Sequence, residues 1–161
     1  MKKIIYTLII IIVFSSSSFS AGTSNDSSND SSNYNKAYNL IKAAKKYEKK
    51  GKIEKAKKRY SKAQKLLLES NKKKPLQADT LNYLGFTTRK LGDFKKGEEF
   101  YLKGLQIDPN HKGINEYLGE LYVVTNRIDL AKQRLEILQN CDCEEYKELK
   151  DIIEGKKKSK Y

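Results

Sequence analysis

The sequence predicts an all-α protein, an α-solenoid of about three helix hairpins closed by a C-terminal capping helix. Three observations carry that expectation. Prolines number only 2 and tryptophan is absent among 161 residues, while Lys, Leu, Glu and Ile are plentiful, and straight-chain residues lose little rotamer freedom in a helix. Tyr83-Leu84-Gly85 recurs as Tyr117-Leu118-Gly119, and Phe94 as Ile128, each 34 positions later, the self-similarity of a repeat architecture. Beyond the last recurrence, Tyr146, Leu149, Ile152 and Ile153 fall at helical spacing between acids and lysines, which suits a cap over the final apolar face. With 38% hydrophobic and 33% charged residues, the chain is too charged for a multi-span membrane protein. Its 11 tyrosines and 5 phenylalanines are enough to furnish the core of one domain.

Met1-Lys2-Lys3 is a positive head, followed by an apolar run from Ile4 to Phe14 and a Ser-rich stretch to Ser20-Ala21. About 11 apolar residues fall short of the roughly 20 that span a bilayer as a helix, so residues 1–20 read as a secretory signal peptide. Small residues at Ser18 and Ser20 place its cleavage before Ala21, and a bacterial periplasm is the expected destination. Residues 21–35 are mostly Ser, Asn, Asp and Gly; such a composition offsets little ordering entropy, and a flexible linker is expected.

The repeats are read over residues 37–70, 78–111 and 112–145. The second copy contains Leu81, Leu84, Gly85, Thr88, Gly92, Phe94, Gly97, Tyr101 and Pro109; the third contains Asn115, Leu118, Gly119, Tyr122, Asn126, Ile128, Ala131 and Leu135. An earlier and more degenerate copy contains Leu40, Ala43, Ala44, Tyr47, Gly51, Ile53, Ala56, Tyr60 and Ala63. It lies further upstream than one period, and the excess is expected as a polar loop over Ser70–Gln77. Small residues mark close approach of paired helices, large ones fill the space between, Asp93 starts a helix and Asp108-Pro109-Asn110 stops one. The cap covers residues 143–154, and residues 156–161 form a solvated basic tail.

From about Tyr38 to Glu154 the chain resembles tetratricopeptide-repeat proteins. The segments Asn82 to Gly92, Asn115 to Tyr122 and Cys141 to Tyr146 resemble, more narrowly, small exported alphaproteobacterial members of that family. The first copy departs from the pattern in lacking the Leu-Gly pair. The resemblance implies a helical solenoid used for protein contacts, without enzymatic activity, in which the first helices of successive repeats line a concave face. Exposed residues on those helices are then the candidate partner-binding set: Tyr38, Ile41 and Lys45, then Asn82, Phe86 and Arg89, then Glu116 and Glu120. Asn82, Phe86 and Arg89 share one helix face and offer an amide, an apolar anchor and a bidentate fork. The competing arrangement is a salt-bridged seam between Arg89 and Glu116 or Glu120. On the partner-binding reading, replacing Asn82 and Arg89 by alanine abolishes partner capture and leaves folding nearly unchanged.

The net charge is +13, concentrated unevenly. Residues 36–75 hold 16 Lys and Arg against 3 acids, whereas residues 76–155 hold 11 against 15. Two function classes follow. The leading one is an exported interaction module that scaffolds or recruits envelope proteins; the alternative is a peripheral binder of anionic lipid or envelope polymer through the basic first hairpin and tail. Nucleic acid is disfavoured by export and by the lack of a recognised motif. Cys141 and Cys143 are open to three readings: a disulfide clip at the cap, a reduced pair, or a soft metal site for copper(I). No cofactor and no catalytic set are expected. His111 reads as a solvated turn residue and Glu116 with Glu120 as paired acids on one helix face.

Overall fold

The computed structural model describes residues 26–159. Among them the chain is all-helical, with seven helices and no strand: α1 (Asp26–Lys49), α2 (Ile53–Lys73), α3 (Ala78–Lys90), α4 (Phe94–Ile107), α5 (Lys112–Val124), α6 (Ile128–Leu138) and α7 (Glu144–Ile153). No described helix is long and apolar enough to cross a membrane. The expected signal peptide and its Ser20–Ala21 cleavage point lie outside the described residues.

Short turns fold consecutive helices into hairpins. Gly51 and Gly92 adopt φ +67° and +100° in the first two turns, and Asn126 takes φ 58° in the third. Asn126 stands 34 residues after Gly92, and asparagine is among the few side chains that enter the left-handed region at small cost. Asp93 caps α4, its carboxylate accepting from the Lys96 amide at 2.9 Å, and α4 ends at Ile107, just ahead of Pro109. Side-chain pairs fix the antiparallel sense: Tyr60 donates to Glu48 at 2.8 Å and Asn33 to Glu69 at 3.2 Å across α1 and α2. In the second hairpin α3 and α4 touch so closely that a Cβ on Gly85 would lie 2.5 Å from the Tyr101 ring.

The hairpins pack in chain order, α2 on α3 and α4 on α5, with α7 against α5 and α6. A continuous core runs through them, from Ala37, Ile41 and Ala44 through Tyr60, Leu67, Leu84, Phe86 and Tyr101 to Ile114, Leu118, Leu121 and Ala131. Leu149 of α7 is fully buried and fills the space left by Gly119, whose added Cβ would meet it at 2.5 Å. The small residue at this position of α5 therefore makes room for α7, whereas Gly85 makes room for its own hairpin partner.

Two expectations need correction. The linker expected over residues 21–35 is helical from Asp26 onward, and the loop expected over Ser70–Gln77 is helical through Lys73. Both differences have one cause. The first hairpin is longer than the others, with helices of 24 and 21 residues, and its two extra ends support each other. Asn33 bonds Glu69, Ala37 is fully buried, Ser70 is buried, and the Tyr34 ring lies 6.0 Å from Tyr83. Tertiary burial overrides the weak helix propensity of Ser and Asn. The tail expected over residues 156–161 is exposed at Lys156, Lys157 and Lys158 as expected, its last two residues lie outside the described residues, and its start is tied to the cap. The Lys156 and Lys157 amides both donate to the Asp151 carbonyl, Lys157 pairs with Glu148, and the Ser159 hydroxyl reaches Glu120 at 3.4 Å.

Candidate functional site

The first helices of the three hairpins, α1, α3 and α5, lie side by side and bring together the residues singled out from the sequence. Tyr38 is at the margin, its ring 5.6 Å from Tyr83 and beneath the Lys42 ammonium. Ile41 is a core residue, 1% exposed. Lys45 crosses from α1 to α5, its ammonium 3.1 Å from the Tyr117 hydroxyl and 4.5 Å from the Phe86 ring centre. This is a cation held over aromatic faces.

Asn82, Phe86, Arg89, Glu116 and Glu120 are brought together as well, but all five are buried. Phe86 is not an exposed anchor: it sits between Tyr60 of α2 and Tyr117 of α5, with ring centres 5.7 and 5.0 Å away. Arg89 bonds the Tyr117 carbonyl and pairs with Glu120 at 3.0 Å, with neither side chain exposed. The salt-bridged seam is thus the arrangement found for Arg89, and it ties α3 to α5. The expectation that Arg89 could be exchanged without structural cost fails for the same reason: an Arg and a Glu that lose solvent together must keep each other.

Two recesses flank this buried centre. At the C-terminal ends of α1 and α3 lies a basic one, lined by Lys45, Lys49, Phe86, Lys90 and Lys157 with Glu48 and Glu148. Lys90 pairs with Glu48 at 2.6 Å, so the bases here stand among carboxylates. At the N-terminal ends of α3 and α5 lies an acidic recess that includes Asp79, Asn82, Tyr83, His111 and Glu116. His111 is the cap of α5 and not a solvated turn residue. Its Nδ1 accepts from the Ile114 amide at 3.2 Å and its Nε2 faces Asp79 at 3.1 Å, which assigns the proton of the neutral ring to Nε2. Burial pushes the Tyr83 phenol up to about 12, assisted by Tyr38, Asp79 and Glu116; Tyr117 is raised too, by burial first and then by Glu116. The reasoning from sequence missed Asp79, Tyr83 and Tyr117 as lining residues. The available signal was the repeat itself, since His111 stands 34 residues after Gln77, the cap of α3.

A third recess, on the outside of the first hairpin, is formed by Leu40 and Tyr47 of α1 with Lys55, Lys58, Arg59 and Lys62 of α2. The Arg59 guanidinium lies 4.9 Å from the Tyr47 ring centre and donates to its hydroxyl, and that hydrogen bond holds the phenol below its ordinary value. Cys141 and Cys143 are joined as a disulfide in the connection between α6 and α7. Among the described residues no three His, Cys, Asp or Glu side chains converge as a metal-ligand set.

No known protein-family pattern matches the chain. Over 50 residues it is 42% identical to a Sol locus transcriptional repressor of Clostridium acetobutylicum, a stretch amounting to 31% of this chain and 16% of that protein. The chain thus spans a small part of the curated relative it resembles.

Proposed function

We propose that this protein is an exported interaction module of the tetratricopeptide type, which scaffolds or recruits envelope proteins through the side formed by α1, α3 and α5. The observation that carries the reading is the alignment of three successive first helices, with recesses of opposite charge at the two ends of a rigid, buried centre. Such an arrangement suits recognition of an extended or helical segment by groups fixed on helices. The candidate contact residues change accordingly: Tyr38 and Lys45 remain, Asp79 and Lys49 join them, and Ile41, Phe86, Arg89, Lys90 and Glu120 act as support. Export rests on the positive head and the short apolar run, and mass spectrometry of the exported pool is expected to find Ala21 or a near neighbour first. An intact Met1 there overturns export.

A second reading has its own observation, the cluster of Lys55, Lys58, Arg59 and Lys62 around Leu40 and Tyr47, which suits anionic lipid or envelope polymer. Capture from periplasm at rising salt separates the two. Recognition by the first-helix side persists, whereas surface attraction falls steeply as screening shortens. Capture that survives replacement of the four bases by glutamine, and is lost on Asp79→Lys with Lys49→Glu, supports the first reading; the reverse pattern overturns it.

A further inference from the structure

The acidic recess at the N-terminal ends of α3 and α5 is built within residues 76–155, the part of the chain in which 15 acids face 11 bases. Four carboxylate residues line it, Asp79 of α3, Asp108 beyond α4, Glu116 of α5 and Glu145 of α7, against one lysine, Lys112. They come from four different parts of the chain, so the recess is a product of folding and not a local run of acids.

The second observation is independent of charge. Asn82 lines the same recess, is 5% exposed, and its side-chain oxygen has no hydrogen-bond partner among the described residues. A buried amide oxygen without a donor costs free energy, and a ligand that brings an N–H into the recess removes that cost. Tyr83 and Tyr117 supply aromatic surface in the same wall, and their phenols are held neutral by burial. Carboxylates at the rim, an acceptor at depth and aromatic flanks together describe a receptor for an N–H cation on an apolar stem. An ammonium group on an alkyl stem combines these features, since it carries a positive charge, donates three hydrogen bonds and brings an apolar chain.

We infer that this recess receives the ammonium group of a lysine side chain presented by the partner. The stem lies against Tyr83 and Tyr117, the ammonium donates to the Asn82 oxygen, and Asp79 and Glu145 supply the opposite charge. This inference rests on the reading of the α1, α3 and α5 side as a partner surface, and it adds the chemistry that one end of that surface recognises.

The test is a nuclear magnetic resonance titration of the full chain with three probes: a blocked Gly-Lys-Gly peptide, the same peptide with acetylated lysine, and spermidine. The lysine peptide is expected to shift the amides of Asn82, Gly113 and Tyr117, and the acetylated peptide to bind at least tenfold more weakly. Asp79→Asn with Glu145→Gln, both at the rim, is expected to weaken lysine binding roughly tenfold by removing two nearby charges. Asn82→Leu, which changes no charge, is expected to weaken it as well, with helical circular dichroism confirming that each variant is folded. Equal binding of the lysine and acetyl-lysine peptides, or undiminished binding by the rim variant, overturns the inference. Binding of spermidine without the lysine peptide overturns it too, assigning the recess to a free polyamine. Partner capture keeps the two levels apart: a rim variant that still captures the partner fully defeats the lysine recess and leaves the surface reading standing, whereas a chain that binds the lysine peptide but captures no partner defeats only the surface reading.

Discussion

Arg89 and Glu120 show how a charged pair becomes structural. Each would be costly alone at full burial, and here Arg89 pairs with Glu120 and donates to the Tyr117 carbonyl. Arg89→Met alone is expected to lower stability by about 3–5 kcal/mol by stranding the Glu120 carboxylate. Adding Glu120→Leu is expected to restore most of that loss, so the urea midpoint of the double variant lies above that of the single one. A double variant as unstable as the single one refutes this account. That Arg89 faces the third hairpin was legible from helix spacing. Its burial was not, because Arg and Glu are ordinarily exposed, and what encloses this pair is the meeting of α3 with Gly97 of α4 on one side and with Tyr117 and Glu120 of α5 on the other. Gly85 is the opposite case: its role follows from the repeat, and Gly85→Ala is expected to cost about 1–3 kcal/mol by forcing the Tyr101 ring from its place, which thermal unfolding will report.

Among the elements, α7 is held by two buried side chains, Leu149 and Ile152. Leu149 is buried against Gly119 of α5, so Leu149→Ala is expected to cost about 2–5 kcal/mol and to raise hydrogen exchange in α5 and α7 before α1 and α2. Uniform acceleration across all helices would show that α7 is not a separate layer of stability. The turns and the cap were legible because the 34-residue recurrence places Gly92 and Asn126 in register and because Leu149 and Ile152 keep helical spacing. The long first hairpin was not legible. Residues such as Asn33 and Ser70 carry no apolar signal, and their helical state goes with burial and with the bond from Asn33 to Glu69 across the α1–α2 seam, a long-range pairing that a local pattern does not encode.

At the scale of the whole molecule, the tyrosines set an alkaline limit. The phenols of Tyr60, Tyr83, Tyr101 and Tyr117 are all raised, burial being the leading cause in each and Glu48 adding to the effect at Tyr60. The folded state holds the neutral phenol while the unfolded chain ionises near about pH 10. This contribution to stability is therefore complete below about pH 10 and is lost as pH climbs from there through the raised folded values, about 12 for Tyr83. A late step in tyrosinate absorbance should coincide with loss of helical circular dichroism; gradual ionisation of every tyrosine with the helices intact would contradict it. The tie between Arg89 and Glu120 also bears on ancestry. Repeat arrays commonly lengthen by tandem duplication, but 34 residues before Glu120 stands Phe86, and 34 residues after Arg89 stands Val123. A chain with residues 78–111 copied in tandem would set the inner Arg89 against a phenylalanine, a buried charge without its counterion. The pair thus locks the middle hairpin to one neighbour, and a lineage carrying it can change its number of hairpins only by altering this seam first.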